Sequence, residues 1–348
     1  MKKTLIALAA VAATGAAFAQ SSVTLDGVVE LGLVRPAANV NDTRLDAANG
    51  ASQIRFRGTE DLGGGLKANF VLAQRLSLES GGNDGSANGR PTFQGESTVG
   101  LSGGFGSLKI GRALTALQGP VNATDPWGTL QQASTAILPS GYYTEPTGNL
   151  DGSGLSRTDA VFYNSPNFSG FSFAVNVGPK FSGTNPAAVQ TLNTKTFMSL
   201  YGSYAAGPLV VGAGFEQNRR DDSITFVHAI YDFGFVRIGG GFAKVEAGPV
   251  VPLAATAPFA PTPAGALGAN EEANNWNIMA IAPLGPVTLK VGYGESENDT
   301  TNTDRSKKLG IGLDYPLSKR TLIYTSVGRD SVRTTNKVGY DIGVRHTF

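Results

Sequence analysis

The chain has 348 residues, with 28 Lys+Arg against 27 Asp+Glu, 46 glycines, two histidines and no cysteine. The missing cysteine excludes disulfides, thiolate catalysis, iron–sulfur clusters and thiolate-bound zinc, and His228 and His346 alone cannot build a multi-histidine metal centre. A formal charge of +1 offers no basic face for nucleic acid, while 41% hydrophobic residues argue against disorder.

Residues 1–19 read as a secretory leader. Lys2 and Lys3 precede an apolar stretch, and Ala17-Phe18-Ala19 forms a small-x-small cleavage site before Gln20. The apolar run is well short of the roughly 20 residues a membrane helix needs. Residues 20–348 then form one domain. Its longest uncharged stretch, 248–269, carries Pro249, Pro252, Pro258, Pro261 and Pro263 and reads as a loop. Export without a membrane helix leaves a soluble exported protein or a closed transmembrane barrel.

From residue 22 onward the pattern alternates with period two. Val23, Leu25, Val29, Leu31 and Leu33 share one face, and Thr24, Asp26, Val28 and Glu30 the other. Turn signals divide the chain into strands over 22–35, 51–60, 66–79, 93–103, 107–113, 157–166, 170–180 and 195–206, then over 208–218, 223–233, 236–247, 274–284, 286–297, 307–315, 320–330 and 337–348. These connections alternate between short and long. Short turns on one rim and long loops on the other are the pattern of an outer-membrane barrel, here sixteen-stranded, antiparallel and all-β. Phe105, Phe168, Phe171, Phe233 and Phe235 flank the short turns, as an aromatic girdle at a membrane interface would. The longest connection, 114–156, exceeds the ~15 residues beyond which a loop is usually functional or disordered. It carries Trp127, Tyr142 and Tyr143 beside Asp125, Glu145 and Asp151.

Several segments carry a family likeness. They include Phe56-Arg57-Gly58-Thr59-Glu60-Asp61-Leu62-Gly63-Gly64-Gly65-Leu66, Leu108-x-Ile110-Gly111-Arg112, Asn164-Ser165-Pro166-Asn167-Phe168-Ser169-Gly170-Phe171, Tyr315-Pro316-Leu317-Ser318 and Gly343-Val344-Arg345-His346-x-Phe348. The chain resembles the general-diffusion porins of Gram-negative outer membranes, in particular their beta-proteobacterial branch (Neisseria, Burkholderia and Comamonas types). The resemblance implies a homotrimer of sixteen-stranded barrels, each with a water-filled pore narrowed by an inward third loop. It implies outer-membrane lipid and lipopolysaccharide as surroundings, small hydrophilic solutes and ions as cargo, and no cofactor. Terminal Phe348 would be the signal read by the barrel-assembly machinery.

In that family basic wall residues oppose acidic residues on the loop. Two expected arginines are replaced here by Gln53 and Gly95, and a carboxylate seen in some relatives by Ala73. Alternation places Gln53, Arg55 and Arg57 on one face of the second strand and Ala73 and Arg75 on the lumen side of the third. With Arg157 after the loop they give a basic wall, opposed by Asp125, Glu145 and Asp151. Rings of arginine favour anions, so a modest anion preference is expected.

Two other classes compete. A barrel protease or phospholipase needs a histidine with a nucleophile or carboxylate, but His228 lies mid-strand without an evident nucleophile and both histidines read as interfacial. An exported β adhesin would be soluble without detergent.

Overall fold

The computed structural model describes residues 21–37, 43–47, 52–83, 92–128, 131–135, 157–180, 195–219, 221–249 and 267–348. The leader, the acidic pair Glu145 and Asp151, and most of the proline-rich stretch lie outside the described residues.

Strands in chain order are β1 (Ser22–Arg35), β2 (Arg44–Asp46), β3 (Gln53–Gly63), β4 (Leu66–Ser77), β5 (Gly82–Asn83), β6 (Glu96–Gly103), β7 (Gly106–Leu114), β8 (Arg157–Asn164), β9 (Phe171–Gly178) and β10 (Phe197–Ala206). They continue as β11 (Leu209–Gln217), β12 (Ser223–Asp232), β13 (Arg237–Glu246), β14 (Glu272–Leu284), β15 (Val287–Asn298), β16 (Thr303–Pro316), β17 (Thr321–Asp330) and β18 (Val338–Thr347). One short helix, α1 (Gln118–Ala123), follows β7. The short β2 and β5 are loop hairpins beside β1 and β4. The other sixteen pair antiparallel in sequence order, and β1 closes the ring by pairing with both β3 and β18. Closure leaves no open edge, which a lipid environment demands because unpaired backbone groups there have no water to bind.

The short connections gather at one rim. Gly207 and Gly285 turn the chain there at φ of +55° and +60°, the left-handed region that glycine enters without a Cβ penalty. The chain end lies at the same rim, where Gly27 and Phe348 exchange two backbone hydrogen bonds of 3.1 Å.

Burial follows the alternation. Val23, Leu25, Val99, Ile110, Ile278 and Ile311 are exposed, and their strand neighbours point into the ring. So large an apolar exterior would be untenable in water, and strands of 8 to 14 residues are about the length needed to cross a bilayer at a tilt. The five phenylalanines at the short turns are exposed, up to 72% for Phe235. Tyr231, Phe233 and Phe235 form a row with ring centroids 4.5 and 6.1 Å apart. Buried side chains on the inner faces are largely polar, among them Asp26, Glu30, Asn176, Glu216, Asn277 and Asp341.

Candidate pore wall

The basic residues of β3 and β4 are built by register. Gln53, Arg55 and Arg57 pair across the ladder with Arg75, Ala73 and Val71, so all six project to the inner side while Ile54, Phe56 and Leu72 point outward. On the other flank Asp26 of β1 stands opposite Arg55. Its carboxylate accepts from both arginines: Arg55 Nε donates to Oδ1 at 2.7 Å and Arg57 Nε to Oδ2 at 2.6 Å. A second guanidinium nitrogen of each lies 2.5 Å from the same oxygen. Arg75 is 3% exposed. Farther round the arc, Lys109 and Glu96 form an ion pair of 2.7 Å that cancels locally. The cluster thus sets two guanidiniums, Arg55 and Arg57, against the one carboxylate of Asp26. Asp26 was not among the expected site residues. Its parity on β1 was legible, but its role depends on which strand pairs with β1 and in what register.

Arg157 differs from its expected place. In the β7–β8 register it pairs with Leu114, on the parity of exposed Ile110 and Val161, opposite to that of Thr158, Ala160 and Phe162. Its side chain is 7% exposed, and Nε donates to the carbonyl of Gly95 at 2.7 Å. The guanidinium is thus held at Gly95, beside Ala73 of β4.

Asp125 also departs from the expectation. It is buried, accepting from Ser134 Oγ at 2.8 Å and from the Thr135 N–H at 3.0 Å. These bonds staple the segment after β7 to itself. His228 is not interfacial: it is 7% exposed on the inner face of β12, its ring parallel to those of Tyr201 and Phe226.

The segment after β7 follows the inner faces of β9 to β18. The Ala116 N–H donates to Asn176 Oδ1 of β9 at 2.6 Å. Leu117 and Val121 pack with Ile224, Phe226, Ala243, Val245 and Ala273. Asn277 Nδ2 donates to the Thr124 carbonyl at 2.9 Å, Lys308 Nζ to that of Ser134 at 3.3 Å, and the Gln132 N–H to Asp341 Oδ2 at 2.9 Å. Glycines make room for it. A Cβ on Gly292 would stand 2.6 Å from Thr135 Oγ1, and one on Gly312 2.7 Å from Trp127 Nε1. On Gly310 and Gly328 it would collide with the carbonyls of Ala133 and Gln132. Among the described residues, these contacts of residues 115–135 fall on the wall from β9 to β18.

A closed sixteen-stranded antiparallel barrel with an apolar exterior and a charged, polar interior defines a membrane channel. The Gram-negative porin family model matches residues 4–335, and the chain belongs to that family. It is 30% identical to outer membrane porin protein 32 of Delftia acidovorans over the whole of both chains. It is 31% identical to a major outer membrane protein P.IB of Neisseria gonorrhoeae, covering 94% of this chain and 93% of the relative. Among solved structures, the anion-selective porin from Comamonas acidovorans superposes with a TM-score of 0.70 at 22% identity, covering 94% of this chain and 100% of that one. Salmonella typhi OmpF in complex with daunomycin gives 0.66 at 14% identity, covering 94% and 97%. The protein is an outer-membrane porin, a passive channel and not an enzyme.

Proposed function

We propose that the protein is a homotrimeric general-diffusion pore for ions and small hydrophilic solutes, with a weak preference for anions. The observation that carries this reading is the pairing of two guanidiniums, those of Arg55 and Arg57, with the single carboxylate of Asp26 on the inner side of β1 and β3. In this reading residues 115–135 form the opposite boundary of the narrowest passage, and an ion passes between them and the arginines. Fixed charge in a narrow passage with low-dielectric walls raises the local concentration of the counter-ion. The anion-selective name of the Comamonas neighbour agrees with that sign.

The same reading takes residues 1–19 as a leader cleaved after Ala19, and Phe348 as the end recognised during assembly into a membrane bearing lipopolysaccharide. Purified protein in a planar bilayer under a salt gradient tests the selectivity. A reversal potential of the anion-preferring sign is expected at 0.1 M, and strong cation selectivity would overturn the placement of the passage.

A further inference from the structure

Beneath α1, on the inner face of β10 to β13, lies a recess of about 710 Å³, within the size range of small-molecule sites. Pro120 of the helix, Val210 and Ile230 give it apolar walls, and Tyr201 and His228 an aromatic one. The aromatic panel is held in place. Tyr201 Oη and His228 Nε2 are 2.7 Å apart, the two rings lie 5.9 Å apart at 16°, and Phe226 extends the stack behind at 5.3 Å.

Along β12 from His228 through Ile230 to Asp232, the side chains pass from buried to exposed, so Asp232 marks the mouth at the short-turn rim. Arg237 is its register partner on β13 and is also exposed. Neither residue is in an ion pair among the described residues. Asp232 Oδ1 accepts from the Gly234 N–H at 2.8 Å, leaving its second oxygen available.

The Cβ atoms of directly paired residues lie about 5 Å apart, so the carboxylate of Asp232 and the guanidinium of Arg237 open side by side onto one mouth. A neighbouring pair of opposite charges suits a solute whose ammonium and carboxylate share one carbon, each group meeting its opposite at the mouth. The apolar and aromatic walls then receive the side chain. We propose that this recess is a low-affinity site for zwitterionic α-amino acids with an aromatic or large aliphatic side chain. Such a solute would be held at the inner end of the channel before release. The proposal rests on the reading that the lumen conducts.

Single-channel recording on the intact protein tests it, with phenylalanine added on the short-turn side. A concentration-dependent fall in current with half-effect at about millimolar is expected, the affinity of a few weak contacts. Glycine lacks the side chain, phenylethylamine the carboxylate and 3-phenylpropionate the ammonium. Each should act about fivefold more weakly, the loss expected for one partly exposed contact. Asp232→Asn and Arg237→Gln should each weaken the phenylalanine effect by a similar factor, measured as fractional block of each variant's own solute-free current. If phenylalanine acts no better than glycine, or if both variants respond as the parent does, the site is refuted while the pore stands. Loss of solute-free current in the parent protein would sink both.

Discussion

Asp26→Asn isolates the charge balance of the arginine cluster. The amide keeps the size of the carboxylate and two of its acceptor sites, but Arg55 and Arg57 lose the charge they share. The two arginines are two residues apart on one strand, about 7 Å between Cα atoms. Their repulsion is about 0.6 kcal/mol in water and about 2 kcal/mol at an effective dielectric of 20. Both side chains are partly exposed, so the barrel should fold with a small loss of stability. The net charge of the Arg55–Arg57–Asp26 cluster rises from +1 to +2. One added charge acting on an ion about 7 Å away contributes about 0.6 kcal/mol unscreened, and about 0.3 kcal/mol at 0.1 M salt, where the Debye length is about 10 Å. The effect is opposite in sign for anions and cations, so their permeability ratio should move about threefold toward anions. At 1 M, with a Debye length near 3 Å, the change falls to about 1.2-fold. Reversal potentials at both salt concentrations give these ratios directly. Arg44→Gln, on an exposed residue paired with Asp46 in the loop hairpin, is the control and should shift the ratio far less. Equal shifts for the two variants, or a shift toward cations in Asp26→Asn, would refute the placement of the selective passage at β3 and β4.

Gly310→Leu puts a side chain where the Ala133 carbonyl and the Trp127 ring lie; it should displace that segment, raise conductance, admit larger polymers in a size-exclusion assay and alter Trp127 fluorescence. Unchanged conductance with an intact barrel would show that residues 127–135 do not bound the passage. Deleting Phe348 removes two backbone hydrogen bonds to Gly27 and an outward ring packed near it, so the amount reaching the outer membrane should fall while conductance per assembled pore stays close to the parent's. Normal surface levels of the shortened chain would count against its role in assembly. In mild detergent the protein should sediment as a trimer that resists heating, and a purely monomeric species would refute the assembly.

The barrel was legible because its signal is periodic. Sixteen alternating segments, short turns at every second connection and glycines at the turns each point to the same architecture, and the strands formed within a few residues of the expected positions. The inner parity of Gln53, Arg55, Arg57 and Arg75 followed from the same alternation, since outward Ile54, Phe56 and Leu72 leave no other choice. For Arg157 the family resemblance, not alternation, supplied the expectation. The residue stands at the first position of its strand, where a long loop ends and no upstream residue sets the phase. The β7–β8 register puts it with Leu114 instead.

Counter-charges obey no such rule. Asp125 lies on an irregular segment, and its three acceptor contacts come from Ser134 and Thr135, close in sequence but tied to it only by the path of the loop. Asp26 lies on a regular strand, yet its neutralising role appears only once β1 is paired with β3 in one register. The glycines at 292, 294, 310 and 312 announce inner parity by their spacing, but their use as a bed for another segment is invisible until that segment reaches them. Selectivity is the difference between wall charge and counter-charge. The first term is written in a period of two and the second in tertiary pairing, so the sign of the preference could be argued from the sequence while the residues that set its size could not.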